Sequence, residues 1–109
     1  EAIRLVTDFS DLDPSLGRRH REVANRLMDA GRYDEALARI EMAAERGEEP
    51  GQIHDARGVA LFAKGDVDAA VREFEQAVQA RQRASATVAR LAGAYAAAGR
   101  RADAAALLE

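Results

Sequence analysis

The chain has no cysteine, and only two of its 109 residues are proline. Without cysteine there is no disulfide framework and no thiolate chemistry, so the sequence does not set a redox compartment. Aromatic residues make up only 5%. No apolar run approaches the roughly 18 residues a membrane span needs, which argues against membrane insertion within this segment. A basic excess is missing as well. The formal net charge of −3 argues against a dedicated nucleic-acid binder. No Gly-rich phosphate loop or other cofactor motif is present, and no cofactor is expected.

Alanine fills much of what remains, in a chain that is 48% hydrophobic. It has the best intrinsic helix propensity and no bulk, so it suits helices that approach closely. With β-branched residues sparse, the composition reads as all-helical. Fifteen of the sixteen basic residues are Arg, Lys64 being the exception. Arg is the better bidentate partner for carboxylates, although a GC-rich coding sequence accounts for the bias equally well. The chain begins at Glu1, not Met, so removal of a targeting segment stays open, as does the choice between a bacterial cytoplasm and periplasm.

The dominant pattern is a repeat of 34 residues. Gly31, Gly65 and Gly99 stand at that interval, as do Ala2, Ala36, Ala70 and Ala104. The stretches AGRYDEAL (30–37), KGDVDAAV (64–71) and AGRRADAA (98–105) align around them. Such a period marks stacked units rather than one globule with a central pocket.

Apolar residues at helical spacing place two helices in each unit. In the first, Val23, Ala24, Leu27 and Met28 form one stripe and Leu37, Ile40 and Ala44 the next. The second repeats this with Val59, Leu61 and Phe62, then Val67, Ala70, Val71, Phe74 and Val78. The third has Val88, Leu91, Ala92 and Tyr95, then Ala104, Leu107 and Leu108. Each glycine of the period falls between the two stripes, where a left-handed turn ends a helix at little steric cost. Helices are expected at about 17–30, 33–46, 51–64, 67–80, 85–98 and 101–109. Asp66 is a candidate N-cap, the connector GEEPG (47–51) is the clearest break, and Pro50 suits a helix start.

The resulting organisation is a single helical-repeat domain over 1–109, with units at 17–50, 51–84 and 85–109, the last partial. Residues 1–16 read either as the last helix of an earlier unit, because EAI keeps register with EAL at 35–37, or as a leader helix. Leu107 and Leu108 would lack a following unit, so the expectation is a longer array or an end packed on another copy.

A 34-residue helix–turn–helix unit with small residues at fixed slots resembles the tetratricopeptide repeat family. The early small slot holds Ala24, Gly58 and Ala92, and the Tyr slot Leu27, Leu61 and Tyr95. The Ala slot that lets the helices touch holds Ala36, Ala70 and Ala104. The aromatic slot holds Ile40, Phe74 and Leu108, and a further small slot Ala43 and Ala77. The Trp-type slot departs, holding His20, His54 and Val88, and the Leu slot carries Arg57 in the middle unit. The closing Pro appears only as Pro14. The resemblance implies a right-handed α-solenoid of antiparallel helix pairs.

It also implies a concave groove lined by the first helix of each unit. The groove positions by register are Arg18, Arg21, Glu22, Asn25, Met28 and Asp29, then Gln52, Asp55, Ala56, Val59, Phe62 and Ala63. The third unit contributes Ala86, Ala89, Arg90, Gly93, Ala96 and Ala97. Some family members clamp a peptide's C-terminal carboxylate with five side chains. Arg21, Asn25 and Arg90 match three of those places, while Ala56 and Ala86 supply neither charge nor amide donor at the other two. The second reading of the groove is apolar, with Val59, Phe62, Gly93, Ala96 and Ala97 in a smooth wall that accepts a helix of another protein or of the same chain.

Catalysis finds no foothold. His20 and His54 occupy one repeat slot seen twice, and equivalent side chains on packed helices stand roughly 8–10 Å apart, too far to share a metal ion comfortably. The acidic groups at Asp8, Asp11 and Asp13 and at Glu48 and Glu49 lack a nucleophile or a burying environment. The expected function is a non-enzymatic protein–protein interaction or scaffold module binding a peptide or helix. The groove residues are Arg18, Arg21, Asn25, Asp55, Val59, Phe62, Arg90 and Gly93. The alternatives are homo-oligomerisation, or docking within a larger enzyme or secretion and assembly protein.

Overall fold

Four glycines with positive φ set the turns of this chain. In the computed structural model, which describes residues 15–80 and 84–108, Gly31, Gly47, Gly65 and Gly99 have φ of 77°, 86°, 100° and 80°. At Gly31, the glycine N–H donates to the Met28 carbonyl and the Arg32 N–H to the Leu27 carbonyl. Gly47, Gly65 and Gly99 repeat this pair of bonds, which satisfies carbonyls that a helix end would otherwise leave without partners. A side chain at a left-handed φ is strained even where space is open, so glycine belongs at each position.

Six helices are described: α1 (Ser15–Asp29), α2 (Tyr33–Glu45), α3 (Pro50–Lys64), α4 (Val67–Ala80), α5 (Ser85–Ala97) and α6 (Arg101–Leu108). No strand occurs among the described residues, and the protein is all-α. Every helix lies within two residues of its expected span, and α3 does begin at Pro50. The reading of residues 1–16 as the last helix of an earlier unit or a leader helix lies outside the described residues, except that Ser15 and Leu16 open α1.

The start of α4 confirms one cap. The Ala69 N–H donates to the Asp66 carboxylate at 3.4 Å, while Ala70 donates to the Asp66 carbonyl. The equivalent position before α2 is Arg32, which makes no side-chain cap. Arg32 instead pairs with Glu35 at 2.9 Å, as Arg100 does with Asp103 at 2.8 Å before α6. Both acids sit in a first helical turn, where the helix dipole favours negative charge.

The chain divides into two compact units, 1–49 and 50–109, with the boundary inside the GEEPG connector. In the first, α1 packs on α2, and Ala24, Ala36, Ile40 and Ala43 are fully buried. Alanines at these slots let the backbones approach closely. In the second, each of α3 to α6 packs on the next. Its core joins Ala70, Val71, Phe74 and Val78 of α4 to Leu91, Ala94 and Tyr95 of α5. Fully burying an aliphatic or Phe side chain contributes about 1.5–3 kcal/mol, so Val71, Phe74, Val78 and Leu91 contribute most to this core, and Ile53 of α3 is buried as well.

Candidate functional site

Helical spacing puts Val59, Phe62 and Ala63 on one face of α3, and Arg90, Gly93 and Ala94 on one face of α5. These six residues, with Phe74 of α4, line a cavity of about 390 Å³ in the second unit. Phe74 is only 2% exposed, whereas Phe62 is 41% exposed. Gly93 leaves the wall open, because a Cβ built there meets nothing within 4 Å.

The polar element of this wall is an ion pair. Arg90 Nη1 donates to Asp55 Oδ2, linking α5 to α3 one turn before Val59. The carboxylate side chain is 12% exposed and the guanidinium 44%. A largely covered acid thus holds a half-exposed cation at the cavity. The structure therefore brings together Asp55, Val59, Phe62, Arg90 and Gly93 of the expected groove residues.

The other three lie on α1 in the first unit. Arg18 and Asn25 are exposed. Arg21 is half-buried, with its Nε 3.6 Å from Glu48 Oε2. Both arginines at clamp-like positions, Arg21 and Arg90, therefore face a carboxylate of this chain. Sequence reasoning missed the Asp55–Arg90 pair. Its signal was a separation of 35, which puts the two on successive first helices within one turn of the same register.

The histidine slot resolves into two opposite contacts. Arg39 Nη1 stands 3.1 Å from His20 Nδ1, and because Arg can only donate, that ring nitrogen accepts. One repeat on, His54 Nδ1 stands 3.4 Å from Glu73 Oε1, and there the ring nitrogen donates. Glu73 also meets Arg57 Nη1 at 3.5 Å. Among the described residues no group of three His, Asp or Glu is placed to hold a metal ion, and none of the helices is long and apolar enough to cross a membrane.

Tyr95 belongs to the core of the second unit. Its hydroxyl donates to Glu75 Oε2 at 2.8 Å, and the Arg100 guanidinium lies 4.5 Å from the ring centroid. Burial, then the bond to Glu75, raises the phenol above its ordinary pKa of 10.0. Compared with models of known protein families and with curated proteins, the chain matches none.

Proposed function

We propose that this chain is a non-enzymatic interaction module of the tetratricopeptide type, a right-handed α-solenoid whose concave face holds a peptide or helix of a partner protein. The observation that carries this reading is the apolar recess between α3 and α5, about 390 Å³ with Phe62 at its edge. An exposed aromatic beside an open apolar recess is the kind of surface that takes a partner's anchor side chain. The 34-residue period, the repeated glycine turns and the small-residue slots support the array.

The test starts from a randomised peptide library selected against the intact chain. Selected peptides are then measured by calorimetry against the double variant Phe62→Glu/Arg90→Ala. Loss of binding is expected. Unchanged affinity for every selected peptide removes the recess as the binding site.

A second reading, self-association, draws on α6, where none of the described residues is buried and Leu108 is 66% exposed. Light scattering over a concentration series, with and without Leu108→Glu, separates it from the first. A parent chain that stays monomeric at high concentration ends this second reading.

A further inference from the structure

We infer that the recess between α3 and α5 selects a partner segment presenting a large uncharged apolar side chain with no carboxylate beside it, and that Asp55 is the residue that sets this preference. The inference rests on the groove reading above and narrows its ligand. Six of the seven lining residues are apolar or glycine, and the exception is Arg90. An unpaired guanidinium at an apolar recess would attract acidic ligands. Here Asp55 holds it already, from a side chain only 12% exposed. The pair leaves the recess close to neutral, so an acidic ligand must compete with a fixed carboxylate that is already bonded and stands close enough to repel it.

The charge match therefore favours a neutral apolar group. Phe62, Val59 and Phe74 offer it contact area, and the space at Gly93 lets its backbone come close. Asp55 thus discriminates against acids through the arginine it occupies, and its role is one of specificity.

Two probes that differ only in charge test this: N-acetyl-tryptophanamide, which is neutral, and N-acetyl-tryptophan, which carries a carboxylate. The chain has no tryptophan, so probe fluorescence excited beyond the tyrosine band reads binding without a protein tryptophan signal. Amide chemical shifts of the labelled intact chain show where the probes sit.

The neutral probe is expected to bind wild type roughly threefold more tightly than the acid, about what a partly exposed ion pair is worth. Asp55→Asn is expected to reverse that order, and the double variant Asp55→Asn/Arg90→Gln to abolish the acid's gain relative to the neutral probe. Should Asp55→Asn fail to fold, Arg90→Gln alone decides. On the inference the Asp55 carboxylate that remains holds the acid further below the neutral probe than in wild type, and an acid that gains on the neutral probe overturns it.

An acid that binds wild type as well as the neutral probe overturns the inference while the groove reading stands. An unchanged ratio in Asp55→Asn does the same. If neither probe shifts the resonances of Val59, Phe62 and Gly93, the groove reading falls and takes the inference with it.

Discussion

Gly58 and Phe74 fit one another by the absence of a single carbon. A Cβ built on Gly58 would lie 2.5 Å from Phe74 Cε1 and 2.6 Å from Cδ1, closer than carbon atoms pack. Phe74 is 2% exposed, so its ring has little room to retreat. The corresponding positions of the first unit hold Ala24 and Ile40, both fully buried. The smaller residue on one side of the helix pair leaves the space that the larger ring on the other side takes.

Gly58→Ala should therefore destabilise the protein, despite alanine's better helix propensity. Overpacking of this kind costs about 1–3 kcal/mol. Phe74→Ile in the same chain should recover most of the loss by restoring the Ala–Ile pairing. Urea unfolding followed by circular dichroism measures the cycle. Additive effects of the two changes would show that the contact is not shared.

Glu73 serves two unusual slot occupants, His54 at 3.4 Å and Arg57 at 3.5 Å. The equivalent set in the third repeat is Val88, Leu91 and Leu107, wholly apolar. Glu73→Leu alone should cost about 1 kcal/mol by removing the acceptor that both groups meet. The triple variant His54→Val/Arg57→Leu/Glu73→Leu should regain or exceed the parent's melting temperature, since a partly buried polar set can be replaced by a packed apolar one. A triple variant less stable than Glu73→Leu alone contradicts this.

Tyr95 should set an alkaline limit to the protein's stability. Its folded pKa lies above the ordinary 10.0, first because of burial and then because of Glu75. The stabilisation is thus fully present below the unfolded value and is lost as pH rises through the raised folded value. Tyr95→Phe should cost about 1 kcal/mol near neutrality and flatten the stability profile above the ordinary tyrosine range. Denaturant midpoints across that alkaline range check both statements, and an equally steep decline in the variant places the limit elsewhere.

Asp66 caps α4 through a long, exposed bond of 3.4 Å to the Ala69 N–H. Asp66→Ala should therefore lose about 0.5 kcal/mol, the weak end of the range for such caps. Hydrogen exchange should report it locally, with faster exchange at Asp68 and Ala69 and little change in α5. Protection that is unchanged at those amides would show that the side chain does not cap.

The helices were legible because their signals are local. The apolar spacing at i, i+3 and i+4, the glycines between stripes and Asp66 each act within a few residues, and all six described helices follow them. The Asp55–Arg90 pair was not legible in the same way, because its members were read separately as groove positions on different units. The histidine slot was seen as a repeat, but its polarity depends on residues 39 and 73, which differ in sign between the units. Phe62 shows a third case. Helical spacing gave it to both the core stripe and the groove, and its 41% exposure places it at the boundary of the two.

The recurring glycine turns bear on how quickly this chain reaches its structure. Each turn closes within six residues, and Asp55–Arg90 spans only 35 positions. Little loop entropy is lost before a hairpin's contacts form. Such low contact order belongs to chains that fold in microseconds to milliseconds. Each turn thus forms from its own few residues and does not wait for the rest of the chain.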